Sequence, residues 1–125
     1  MELATGAGLT ISEAAEASGV SAHTLRYYER AGLVQPVERA ASGHRRYAES
    51  DLERLRFIGY LRNTGMPIRR IREYFELVDA GSQTTPQRLE LLERHRDEVR
   101  AELARGKTYL EAIERKIGLY KEGKI

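Results

Sequence analysis

Residues 10–29 read TISEAAEASGVSAHTLRYYE, a pattern of two short helices folded about one tight turn. Thr10 followed by Glu13 makes a capping box, in which the hydroxyl accepts from the Glu13 amide and the carboxylate reaches back to the cap. Gly19 stops the first helix, Val20 is an apolar hinge residue, and Ser21 is suited to cap the second helix. That second helix carries His23, Thr24, Arg26 and Tyr27 outward on a frame of Ala and Leu. Side chains able to touch base edges and phosphates therefore cluster on one helix, as a helix-turn-helix reader of duplex DNA requires. Taken alone, the same stretch also suits an ordinary helical hairpin in a small bundle, so its surroundings decide.

The surroundings are basic on one side only. Residues 21–72 hold eleven Arg (26, 30, 39, 45, 46, 54, 56, 62, 69, 70, 72) against five acids, a balance of +6, whereas residues 76–125 hold ten basic and ten acidic residues. A basic first half joined to a neutral second half suggests a polyanion-binding module followed by one with another task. Arg without Lys suits bidentate contact with phosphate or guanine, although an arginine-rich solvated surface gives the same bias.

Beyond the second helix, Gly32 to Pro36 leave the helical pattern, because Pro36 biases the preceding residue toward extended geometry. Val37 to Tyr47 has Ser42 and Gly43 at its centre and reads as a short hairpin, a candidate wing. Arg45 and Arg46 point to opposite faces of a strand, so at least one faces outward. A third helix begins around Glu49 to Asp51, with Leu52, Leu55, Phe57, Ile58 and Leu61 on its apolar face. Met66 and Pro67 mark a stop and a restart, Pro67 suiting the first turn of a fourth helix that carries Ile68, Ile71, Tyr74, Phe75 and Val78 inward. The corner between them is flanked by Arg62 and Arg69, a natural phosphate clamp or an ordinary solvated corner.

The turn-rich stretch 80–85 reads as a linker. From Pro86 onward a heptad stripe runs through Leu89, Arg96, Leu103, Leu110 and Ile117 at one core position and Leu92, Val99, Gly106, Ile113 and Tyr120 at the other. Such a helix spans roughly 55 Å, more than the small first domain can cover, so the stripe needs a partner, most simply the same helix of a second chain. Arg96 and Gly106 interrupt the stripe and favour an antiparallel pair over a long parallel zipper. The expected architecture is mainly α: a DNA-binding domain over 1–79, a linker over 80–85 and a dimerisation coiled-coil helix over 86–125. Leu89, Leu92, Val99, Leu103, Leu110, Ile113 and Ile117 form the expected seam.

Three blocks of the chain resemble the mercury-resistance-regulator family, MerR. They are Leu25-Arg26-Tyr27-Tyr28-Glu29 with Gly32 and Leu33; Gly43 to Tyr47 with Asp51, Arg54, Leu55, Phe57 and Ile58; and Leu61, Arg62, Gly65 and Ile71. The resemblance implies a winged helix-turn-helix domain and a homodimer joined through an antiparallel pair of long C-terminal helices. It further implies binding to a pseudo-palindrome in double-stranded promoter DNA and distortion of its centre, which realigns the promoter for RNA polymerase. Arg26 and Tyr27 are expected to contact bases or backbone, Arg45 to serve the first wing and Arg62 to touch backbone near the second. Ser21, His23 and Thr24 fall where base-reading side chains vary. Metal- and redox-sensing relatives use cysteines, and this chain has none. It is thus expected to be a cysteine-less member without a large C-terminal effector domain.

The absence of cysteine excludes disulfides, thiolate metal sites and thiol switches. His23, His44 and His95 are scattered over the recognition helix, the wing and the long helix, where structural or solvated roles suit them better than ligation, so no metal and no cofactor are expected. There is no Ser/His/Asp set, phosphate loop or buried carboxylate pair, so no enzyme is expected. Without an apolar run of about 18 residues or a leader segment, the expected location is the cytoplasm, with no membrane partner. The effector is unspecified; Tyr74, Phe75 and Tyr109, with Val78, Ile113 and Tyr120 nearby at helical spacing, are candidates to hold a small organic molecule, or else plain packing. The alternative to a regulator is an architectural DNA-bending protein without an inducer.

Overall fold

A computed structural model describes residues 8–35, 38–39 and 45–125, with only the main chain described at 38–39 and 45–46. Helices α1 (Ile11–Ser18) and α2 (Ala22–Arg30) are followed by strands β1 (Glu38–Arg39) and β2 (Arg45–Arg46), then α3 (Glu49–Asn63), α4 (Ile68–Ala80), a 3-10 turn (Ser82–Thr84) and α5 (Thr85–Lys121). The chain divides after Thr84 into two compact units.

Local chemistry sets the ends of α1 and α2. The Glu13 amide donates to Thr10 Oγ1 at 3.2 Å and the Thr10 amide donates to Glu13 Oε1 at 2.9 Å, so the capping box is complete. Gly19 ends α1 in the left-handed region at φ 77°, which a residue without Cβ adopts at no steric cost. Ser21 Oγ then accepts from the Thr24 amide at 3.1 Å to start α2. Downstream, Asp51 Oδ2 accepts from the Ala48 amide at 2.8 Å at the head of α3.

The first unit closes over one core. Leu25 and Tyr28 from α2, Leu52, Leu55, Ile58 and Leu61 from α3, and Ile71 and Phe75 from α4 are buried together with Leu33 and Val34. Phe57, expected on the inner face of α3, is only half-buried; its ring meets Tyr74 with centroids 5.7 Å apart. Pro67 stands one residue ahead of its expected place, as the cap before α4 rather than in its first turn. Strands β1 and β2 pair antiparallel, Glu38 with Arg46 and Arg39 with Arg45, as a wing requires. Val37, Ser42, Gly43 and His44 lie outside the described residues. Beyond β2, Leu9 and Tyr47 exchange backbone hydrogen bonds of 2.7 and 2.8 Å.

The stretch 80–85, read as a linker, holds the last residue of α4, the 3-10 turn and the first residue of α5. Thr84 Oγ1 donates to the carbonyls of Leu77 at 2.6 Å and Gly81 at 2.9 Å, and Gln83 Nε2 donates to that of Ala80 at 2.7 Å. These side chains satisfy carbonyls that the end of α4 leaves open. In the second unit, α5 is one unbroken helix of 37 residues.

Candidate nucleic-acid interface

Burial of Leu25 and Tyr28 fixes the rotation of α2 and leaves His23, Arg26, Tyr27 and Arg30 exposed on the opposite side. Arg26 has no hydrogen-bond or ion-pair partner among the described residues. Ser21 and Thr24, at the start of the same helix, are joined by a hydroxyl contact of 3.0 Å. Tyr27 and Tyr28 tilt against each other at 6.1 Å, so the exposed ring is braced by the buried one. Arg62 Nη1 donates to the Tyr28 hydroxyl at 3.4 Å, and its guanidinium carbon stands 5.8 Å from the centre of the Tyr28 ring. That places a cation expected near the second wing beside the root of the recognition helix.

Ser21, Thr24, Tyr28 and Arg62 line one groove of about 530 Å³ between the α1–α2 turn and the C-terminal half of α3. The remaining wall includes Arg56, Gly59, Tyr60 and Asn63, residues the sequence pattern did not single out as a set. Their spacing on α3 is the sign that was available. The side chains of Arg45 and Arg46 lie outside the described residues, so the groove is defined without them.

Three of the arginines counted in the basic stretch donate to main-chain carbonyls. Arg56 Nη2 donates to the Ala17 carbonyl at 3.2 Å, Arg72 Nε to the Ala31 carbonyl at 2.8 Å and Arg54 Nη1 to the Leu33 carbonyl at 3.5 Å. Ala17 lies in the last turn of α1 and Ala31 caps α2, so α3 and α4 each send a guanidinium to a helix C-terminus, where unsatisfied carbonyls and the helix dipole favour a cation. Arg54 also pairs with Asp79 at 2.5 Å and lies 4.6 Å from the centre of the Phe75 ring. These contacts hold both helices of the reading unit against the rest of the core.

The other candidate residues belong to one unit or the other. Phe75 is buried and meets Tyr74 edge-on at 4.9 Å, while Tyr109 is exposed on α5. His95 is buried on α5, its Nδ1 3.7 Å from Glu98 Oε1. Among the described residues no helix is long and apolar enough to cross a membrane.

The arrangement matches known proteins along most of its length. The family model described as MerR HTH family regulatory protein covers residues 9–77, and a second, described as MerR, DNA binding, covers 52–117. The chain belongs to the MerR family. An uncharacterized HTH-type transcriptional regulator of Haemophilus influenzae is 37% identical over 92% of this chain and 85% of its own length. AdhR of Bacillus subtilis is 42% identical over 67% of this chain and 60% of its own length. Among solved structures, HiNmlR, a MerR family regulator lacking the sensor domain and bound to promoter DNA, superposes with a TM-score of 0.83 at 37% identity, covering 94% of this chain and 93% of that one. A MerR family regulator from Listeria monocytogenes gives 0.84 at 38% identity, covering 90% and 86%. This MerR chain is accordingly a winged helix-turn-helix, DNA-binding transcriptional regulator and not an enzyme.

Proposed function

We propose that two copies of this MerR protein join through antiparallel α5 helices and grip a promoter pseudo-palindrome, each placing the start of its α2 in the major groove. The observation that carries the reading is the pairing of two exposed surfaces. One is the polar and cationic face of α2; the other is the apolar stripe of α5, where Leu103 is 69% and Ile113 is 57% exposed. A stripe of that length left in water forfeits the burial that drives association, so a second copy is its natural cover. HiNmlR, of similar length and fold, binds promoter DNA, which supports the same target here.

In this assignment Arg26, with Ser21, His23 and Thr24, reads base edges, while Tyr27, Arg62 and the wing arginines Arg45 and Arg46 position the backbone. Distortion of the operator centre then realigns the promoter for RNA polymerase in the cytoplasm. The effector is left unspecified, a small organic molecule being the candidate to test. Its binding is read as a concentration-dependent rise in melting temperature across aldehyde, aromatic and cationic compounds.

Footprinting on the region upstream of the gene tests the reading. One protected inverted repeat is the expected result; many weak, evenly scattered sites favour an architectural protein instead. Arg26→Ala is expected to weaken the specific site by about 1–3 kcal/mol, and Arg62→Ala to weaken all duplexes alike. Equal losses on operator and random duplex for both variants contradict the assignment.

A further inference from the structure

One wall of the groove beside the α1–α2 turn is a single stripe of α3. Arg56, Gly59, Tyr60 and Asn63 follow the i, i+3, i+4, i+7 spacing of one helix face, and all line the cavity that Ser21 and Thr24 line from the start of α2. We propose that this groove seats the sugar-phosphate strand bordering the major groove, with Arg56, Tyr60 and Asn63 as phosphate contacts additional to Arg62. The inference rests on α2 being the helix that enters the major groove, because a strand flanking that groove then runs along the neighbouring surface.

The chemistry of the lining is that of an anion seat. No carboxylate lines the groove, while two guanidiniums, an amide, two phenols and three serine or threonine hydroxyls do. Arg56 spends one donor on the Ala17 carbonyl, which fixes its head beside the turn, and a guanidinium has five donors. Tyr60 is 64% exposed, so packing does not account for its ring. Gly59 sits in mid-helix, where glycine is less favourable than alanine. A Cβ added there meets nothing within 4 Å in the protein, so internal crowding does not require the glycine. The missing side chain at Gly59, on the same face as Arg56 and Asn63, leaves room for the close approach of another chain.

The test measures, on the full-length protein, the melting temperature and the affinity for two duplexes over a salt series: one carrying the upstream region of its own gene, the other of random sequence. Gly59→Gln is expected to hold or raise the melting temperature while weakening both duplexes several-fold, an opposition that loss of structure does not produce. Arg56→Gln is expected to weaken both alike and to flatten the salt dependence by about one phosphate contact. Tyr60→Phe and Asn63→Ala are expected to lower affinity two- to fivefold with the fold intact. Wild-type affinity and salt slope in Gly59→Gln and Arg56→Gln overturn the phosphate seat and leave Arg56 as a cap on α1. If Arg26→Ala still weakens the upstream duplex in that case, the regulator reading stands without the seat. If the wild-type protein binds neither duplex, both fall together.

Discussion

In the winged unit Leu25, Leu33, Leu55, Ile58 and Ile71 are all at 0% exposure, whereas on α5 Leu89, Leu103, Leu110 and Ile113 stand between 53% and 69%. Both regions are rich in charge and in leucine, yet one hides its apolar atoms within itself and the other displays them. Charges are used differently as well. Arginines of α3 and α4 reach across 39 and 41 residues of sequence to main-chain carbonyls, while on α5 Arg105 pairs with Glu102 and Arg96 with its neighbour Asp97. The first pattern makes a self-supporting body with a defined outer face. The second leaves an apolar face in water, the face that the proposed dimer would cover.

The contrast breaks most severely at α5. Replacing Leu103 and Leu110 together with Asp is expected to yield monomers in sedimentation and to lower operator affinity about 10²–10⁴-fold, because two linked heads bind far more tightly than one. A dimer that survives both substitutions refutes the seam. Leu55→Ala strikes the other region: removal of a fully buried side chain is expected to cost about 2–5 kcal/mol. Thermal melting followed by circular dichroism should then show the winged unit unfolding early while sedimentation still reports a dimer. A single shared transition would mean that the two units are not separable in stability.

Smaller effects sharpen the distinction among the arginines. Arg72→Ala removes the bond to the Ala31 carbonyl and is expected to cost about 1–3 kcal/mol of stability, with an unchanged salt dependence of DNA binding. A flattened salt slope in that variant would move Arg72 to the phosphate-facing set. Asp79→Asn, at an exposed partner of Arg54, is expected to shift stability by less than about 1 kcal/mol in denaturant melts.

Features written in short range were legible. The Thr10 and Glu13 capping box, the left-handed Gly19, the Ser21 cap and the long uninterrupted final helix all depend on neighbours within a turn or two, and each stands where its residues indicate. The groove was not legible as a site, since its two walls come from residues 18–28 and 55–63, which only the fold brings together. Nor did the basic balance of residues 21–72 distinguish arginines facing outward from those capping helices, because the carbonyls they serve are found only once α3 and α4 are in place. The stretch 80–85, read as a linker, is where the two units divide, and what its residues did not announce is how firmly it is tied. Ser82, Gln83 and Thr84 are turn-forming residues, and here the side chains of Gln83 and Thr84 fasten the turn to the end of α4 instead of loosening it.

The pair of hydrogen bonds between Leu9 and Tyr47 carries a consequence for docking. Everything from the first capping residue through α2 to the second wing strand lies between those two positions in sequence, so the segment that carries α2 is a belt buckled at its ends. Freeing the buckle would slacken the approach to α1 and the root of the wing together. In the proposed docking, the start of α1 and the root of the wing would therefore meet an operator from ends that are already joined.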